Sequence, residues 1–200
     1  MIKRIPEVPD EAATRARVPP GQAVTTRFYA LTAEEVPVVD TTSLVITVHG
    51  EVERPVSLQY AQLMTLPHLV RSADFHCVEG WSVLGTTWGG VAVADVLKAT
   101  GVVVKPTARF VMVECVTGYT TNLPLDVIMD PETMLVWEWN GLPLPPEHGG
   151  PLRLLVPSLY AWKDAKWVQG FEFMTEDRAG FWESRGYHMH GDPWKQERYS

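Results

Sequence analysis

Cysteine is scarce in this chain, with two in 200 residues. Two thiols make no disulfide framework, and in a reducing compartment Cys77 and Cys115 are expected to stay unpaired. No CxxC and no HExxH occurs, so the spacings that announce a zinc finger or a zinc protease are missing. Basic residues are few as well. Lys and Arg number 17 against 24 Asp and Glu, a net charge of -7, which argues against nucleic acid as the main partner because phosphate binding draws on clustered cations. No stretch approaches the roughly 20 apolar residues of a membrane helix, and the opening MIKRIPEVPDEAATRARVPP lacks the apolar run of a secretory signal. The expectations are a cytoplasmic location and no transmembrane segment. Internal repeats and low-complexity segments are lacking too.

What is present suits one compact domain: 46% hydrophobic and 20% charged side chains can build a sizeable core at this length. Eight Trp and 16 Pro point to strands, turns and extended segments more than to a helix bundle. Residues 1–40 are irregular and proline-bearing, an extended arm packing on the core, and 41–200 form the domain with a C-terminal wrap. Ser43 to Val52 alternates as a strand, and RPVSLQYAQLMTLP offers Ser57 as N-cap of a short helix that stops before Pro67. LVRSADFHCV reads as a strand, and VAVADVLKATG as a helix ending at Gly101. ARFVMVECV, TMLVWEWNG, PLRLLVP and KWVQGFEFM are further strands. The fold class expected is mixed α+β dominated by sheet. The tail from Arg178 shows almost no periodicity, and composition alone makes it a surface wrap.

The stretch DFHCVEGWS, Asp74 to Ser82, places one of the two cysteines between a histidine and a glutamate. As a nucleophile Cys77 would need an imidazole from elsewhere, His148 or His49, because adjacent strand residues such as His76 point to the opposite face. His188 and His190, with Asp192 beyond, share one face of an extended segment, and a polar C-terminal surface or a set of tail-docking hydrogen bonds explains them better than zinc does. A third possibility is one thiolate on a soft metal whose other ligands come from an anionic cofactor. Groups to hold such a cofactor cluster between 148 and 166: His148, Arg153, Lys163 and Lys166, with Gly149 and Gly150 allowing close backbone approach.

FHCVEGWS, then WGGVAVADVL, GYTTNLPL, WNGLPLPPEHGGPLRLLVP and AWKDAKWV, in that order, resemble the molybdopterin-binding core of the sulfite oxidase family. The closing GFWESRGYHMHGDPWKQERYS is similar to its small stand-alone bacterial and archaeal branch. The resemblance implies a sulfite oxidase-type fold and a molybdenum–molybdopterin oxidoreductase. It implies that Cys77 is the protein ligand to molybdenum, the cofactor's dithiolene supplying the other sulfurs. It carries pterin or phosphate contacts onto His148 and Arg153, and the phosphate pocket onto Lys163 and Lys166 with Ala165 beside them. Lighter carry-overs fall on the arm at Arg27, Phe28 and Tyr29, on Cys115 to Thr117, and on Tyr119 as an active-site-facing residue, equally readable as a packed aromatic whose hydroxyl is hydrogen-bonded.

The chemistry implied is two-electron oxygen-atom transfer, in which the cofactor does the bond-making and the protein sets access and charge. In animal and plant sulfite oxidases arginines beside the cysteine help bind sulfite. Here Val78, Glu79, Gly80, Trp81 and Ser82 follow Cys77, closer to the sulfoxide-reducing bacterial relatives. An S-oxide or N-oxide is the favoured substrate, with oxidation of sulfite or a similar small anion as the alternative, and a non-catalytic molybdopterin-binding or partner-binding module as a reading of another class. A separate electron donor or acceptor protein is implied, since 200 residues leave no room for a haem domain.

Overall fold

The structure, a computed structural model, describes residues 11–200, so the first part of the expected arm lies outside the described residues. The elements in chain order are α1 (Glu11–Arg15), β1 (Ala23–Val24), β2 (Val45–Gly50), β3 (Val56–Gln59), α2 (Tyr60–Leu63), β4 (Leu69–Cys77), β5 (Trp81–Ala92), α3 (Val93–Ala99), β6 (Phe110–Cys115), β7 (Thr120–Pro124), α4 (Leu125–Ile128), β8 (Met134–Trp139), β9 (Leu142–Pro143), β10 (Arg153–Leu155) and β11 (Val168–Met174). Sheet dominates and the helices are short, as the α+β expectation requires.

A five-stranded sheet runs β3-β2-β11-β6-β7, with β11 parallel to β2 and the other pairs antiparallel. The other sheet has six strands, in the order β1-β5-β8-β10, with β4 also on β5 and β9 on β8. Between the sheets lies the main core. Ile46 and Val48 of β2, Val111 and Val113 of β6, and Phe171 and Phe173 of β11 meet Val91, Leu135, Trp137 and Leu154 from the second sheet. Residues Met134 and Val136 of β8 turn to the opposite face and join Phe75 and Trp88 in a second cluster, packed against Phe28 of the arm. The run MLVW is therefore apolar without alternation because its strand is covered on both faces. The candidate site grows on that arm-covered face.

Two sequence expectations shift. Ser57 is no N-cap, for it sits in β3 opposite Thr47, where the pattern of half-buried and exposed residues follows a period of two. The helix starts at Tyr60, and the Gln62 side chain accepts the Gln59 N–H at 2.9 Å. VAVADVLKATG begins as strand, since Val91 and Ala92 end β5, and the helix takes over at Val93 with Val93, Val96 and Leu97 inward. Gly101 follows it at φ +68, the left-handed stop that glycine favours.

β5 went unread as a strand because glycines interrupt it, yet it is the centre of its sheet. Gly90 shows why glycine is there: a Cβ on it would lie 2.1 Å from the Leu135 carbonyl oxygen of β8. Gly90→Ala is expected to destabilise the fold by about 3 kcal/mol or more, the upper range of overpacking. Urea unfolding checks this, and a loss under about 1 kcal/mol would contradict so tight a strand contact.

Candidate active site

β4 delivers Cys77 to a cavity of roughly 170 Å³. Its carbonyl accepts the Gly80 N–H at 3.0 Å, closing the tight turn into β5, and Gly80 takes φ +92 to complete it. Alternation separates Cys77 from His76, whose Nδ1 meets Ser82 Oγ at 2.8 Å. His49 is engaged with Glu114 at 3.0 Å, so neither histidine serves the thiol as a base. The thiol is buried, and desolvation pushes its pKa up to about 11. A soft metal would displace that proton, because coordination favours the thiolate. Cys115 is also free but sits at the end of β6 in the main core.

The same cavity is lined by Phe28, Tyr29, Tyr119, His148, Arg153, Ala165 and Lys166. Arg153 is 2% exposed. Its guanidinium donates to the carbonyls of His148 at 2.8 Å and Asp164 at 3.0 Å, while the Asp164 carboxylate stands 4.0 Å away and accepts the Val156 N–H. Burial outweighs this attraction for both partners, lowering Arg153 and raising Asp164 to about 7. Lys166 donates to the Leu31 and Glu147 carbonyls at 2.7 Å each, and burial, then the charge of Arg153, brings it down to about 7. His148 stacks on Phe28 with ring centres 4.4 Å apart and is lowered by burial and by Arg153. A chain of net charge -7 thus buries positive groups in one cavity, where the Asp164 carboxylate is pushed toward its neutral form by burial and Glu34 and Glu79 also join the lining.

That arrangement fits an anionic, metal-carrying cofactor. The guanidinium and ammonium would hold the anionic end, desolvated where an anion would relieve their cost, and the lone thiol would offer one soft ligand, leaving the rest to the cofactor. Gly149 and Gly150 serve this differently from the expectation of amides facing a ligand. Their N–H groups donate to Pro146 and Pro145, and a Cβ on Gly149 would meet Arg153 Cβ and Lys166 Cγ at 3.0 Å. The glycine makes room for the two basic side chains.

Lys163 and Cys115 are not among the cavity-lining residues. The Lys163 ammonium is buried in an ion pair with Glu183 at 2.6 Å and also donates to Asn122 and Met189, tying β7 and the C-terminal segment to the 160s. Burial lowers its pKa while Glu183 draws it back up. The Tyr119 hydroxyl donates to the Trp162 carbonyl at 2.6 Å and burial raises it well above the ordinary tyrosine value. His188 and His190 both face Glu197, at 3.5 and 2.9 Å, and among the described residues no cluster of His, Cys, Asp and Glu is placed to hold a metal. Sequence reading missed Glu34 of the arm, Asp164, and Trp182 and Tyr187 of the tail, all lining the cavity. The arm and tail carry no periodicity, so only the aromatic composition of the tail hinted at burial.

The two shifted groups make a stability prediction for cofactor-free protein. Lys166 is depressed in the fold, so between about 7 and its unfolded value the unfolded chain binds more protons and stability rises with pH. Asp164 is raised in the fold, so between its unfolded value and about 7 the folded chain binds more protons and stability falls as pH rises. Lys166→Met is expected to flatten the alkaline limb and Asp164→Asn the acid limb, measured as unfolding free energy in urea across pH 4 to 10 (about). Unchanged slopes in both variants would contradict the buried-charge description.

A family model, the oxidoreductase molybdopterin binding domain, matches residues 33–182. The uncharacterized oxidoreductase YuiH of Bacillus subtilis is 44% identical over 185 residues, 92% of each chain. A putative protein-methionine-sulfoxide reductase subunit, YedZ1 of Azospira oryzae, is 30% identical over 79% of this chain and 59% of its own length. Mitochondrial sulfite oxidase of Rattus norvegicus is 33% identical over 50% of this chain, which spans only 20% of that protein. Among solved structures, the sulfane dehydrogenase SoxCD of Paracoccus pantotrophus superposes with TM-score 0.63 at 22% identity, covering 70% of this chain and 40% of that one, a likeness of fold. With a family model across most of its length, a relative at full span, and a thiol and buried cations lining one cavity, the chain belongs to the molybdopterin-binding oxidoreductases of sulfite oxidase type.

Proposed function

We propose that this molybdopterin enzyme reduces a neutral organic S-oxide or N-oxide. For an S-oxide, two electrons from a separate redox protein and two protons convert it to the sulfide and water. The observation that carries this is the character of the cavity around Cys77. Trp81, Trp182, Tyr187 and Val78 line it, and the carboxylate of Glu79 stands at the turn. An acidic, aromatic mouth repels a sulfite dianion and accepts an uncharged substrate with apolar substituents. The guanidinium whose charge reaches Cys77, Arg198, spends its donors on the backbone carbonyls of Val78 and Gly21. The name of the Azospira relative supports the same direction, while the rat relative acts on sulfite by its name.

When bound, the molybdenum cofactor supplies two-electron oxygen-atom transfer. The chain's own residues would divide the rest. Cys77 offers the metal ligand, and Arg153, Lys166 and His148 hold the anionic end. Phe28, stacked on His148, excludes water from that side, and the tail aromatics shape the substrate's approach. The proposed compartment is the cytoplasm, where reducing conditions suit the unpaired Cys77 and Cys115. Fractionation of the native host tests it, and activity confined to an extracytoplasmic fraction would overturn it.

Reoxidation of a dithionite-reduced viologen dye by methyl sulfoxides and amine N-oxides is the test of activity. Turnover with these and little sulfite oxidation is expected. Cofactor-loaded protein that leaves the dye reduced in the presence of every oxide offered, and oxidises no sulfite, would favour a non-catalytic module, and sulfite oxidation alone would reverse the direction proposed. Glu79→Lys is expected to raise kcat/KM for sulfite about tenfold or more at low salt, since a charge reversal near a dianion is worth upwards of ~1 kcal/mol. Cys77→Ser is expected to abolish turnover while most pterin stays bound, measured by pterin fluorescence after oxidation. Loss of pterin in step with activity would make the thiolate a main anchor.

A further inference from the structure

The turn that carries Cys77 is held from outside its own hairpin by both ends of the chain. From the arm, Gln22 Nε2 donates to the Cys77 carbonyl at 3.0 Å, and Gln22 Oε1 accepts from Ser82 Oγ at 3.2 Å. The next residue continues the grip: Ala23 N–H donates to Gly80 O at 2.8 Å, and β1 runs parallel to the start of β5. From the tail, the Arg198 guanidinium donates to the Val78 carbonyl, and through its other nitrogen to Gly21 O at 3.2 Å. The carbonyls of Cys77, Val78 and Gly80 are all taken by groups distant in sequence.

Arg198 is itself fixed. Its guanidinium lies 5.3 Å from the centre of the Tyr160 ring, and its carbonyl accepts the His188 N–H at 3.2 Å. Tyr187 and Tyr199 bridge across the tail with ring centres 5.2 Å apart. Tyr160 N–H in turn donates to Gly191 O at 2.8 Å, and Ala161 N–H to His76 O at 2.9 Å. A planar guanidinium spanning two carbonyls from different segments is a geometry that an ammonium reproduces only in part.

We propose that Arg198, with Gln22, is a positioning residue for the reaction: the two side chains clamp the turn so that the Cys77 sulfur is presented to the metal in one orientation. This rests on Cys77 being the metal ligand. Partners of this outer kind, which touch neither substrate nor cofactor, orient a ligand through its own backbone. The tail is then part of the catalytic apparatus, and the last residues of the described chain are where its hold is made.

The test uses Arg198→Met, Arg198→Lys and Gln22→Leu in protein expressed in a host that makes molybdopterin. Molybdenum content, the electron paramagnetic resonance spectrum of the one-electron-reduced metal, and kcat and KM are read for each. In cofactor-free protein the alkylation rate of Cys77 by iodoacetamide is followed by peptide mass spectrometry, with buried Cys115 as the internal reference. Arg198→Met is expected to bind molybdenum, to give an altered resonance spectrum, and to lose about tenfold in kcat with KM little changed, the low end of outer-partner effects. Its Cys77 is expected to alkylate several-fold faster, with Arg198→Lys intermediate on every readout and Gln22→Leu in the same direction. Wild-type spectra and wild-type alkylation rates in both Arg198→Met and Gln22→Leu would overturn the clamp. Should Arg198→Met fail to fold, Gln22→Leu and Arg198→Lys decide by the same readouts. Wild-type protein without molybdenum would defeat the cofactor reading instead, and the alkylation comparison would still decide the clamp.

Discussion

Burying the Arg153 guanidinium is the constraint to which the rest of the cavity answers. A charge taken out of water is tolerable only if its donors are met and its field is balanced. Carbonyls of His148 and Asp164 meet the donors, and rings of Phe28, Phe75 and Trp88 surround it at 6.0, 5.3 and 5.7 Å. Balance is incomplete, because the Asp164 carboxylate stays 4.0 Å off and is pulled toward its neutral form. Lys166 nearby adds a second cation, its pKa brought down to about 7 by burial and then by the charge of Arg153. An anionic cofactor bound there would complete the charge balance, making binding and local stability two sides of one interaction.

Cys77 is placed by different means. β4 carries it inward, the turn to β5 exposes its sulfur to the cavity, and arm and tail close around the turn. The ion pair of Lys163 with Glu183 anchors the tail from below, Glu183 also accepting from Trp162 Nε1 and Thr121 Oγ1 at 2.9 Å each. The 3-10 turn Glu183–Arg185 is one of the few regular pieces of the tail. The rest is held by scattered backbone hydrogen bonds, such as Phe181 N–H to the Thr120 carbonyl and Ser200 N–H to the Gly186 carbonyl, together with side-chain bonds and ring contacts. A segment without helix or strand period is thereby as determined as the sheet it covers.

The sequence made the sheet strands legible where hydrophobic runs were uninterrupted, as in ARFVMVECV and TMLVWEWNG. It concealed β5, because Gly89 and Gly90 answer to β8's close approach and carry no propensity for strand. Cys77, His148, Arg153 and Lys166 stood out through residue type and motif order, and the fold brings them to one cavity. Lys163 carried the same signal but points its ammonium into the knot under the tail, a difference of side-chain direction that spacing does not encode. Gln22 and Arg198 were invisible for the opposite reason. Their role exists only through contacts between residues far apart along the chain.

The central claim is that one protein sulfur, that of Cys77, completes the metal's ligands in a cavity whose cations hold the cofactor. X-ray absorption at the molybdenum edge, on wild-type protein and on Cys77→Ser, tests it most directly. The expected result is a molybdenum–sulfur shell that shrinks in the serine variant by about one sulfur's share, one thiolate being one ligand. An identical sulfur shell in the two proteins would contradict it, and would move the metal away from the turn that both ends of the chain converge to hold.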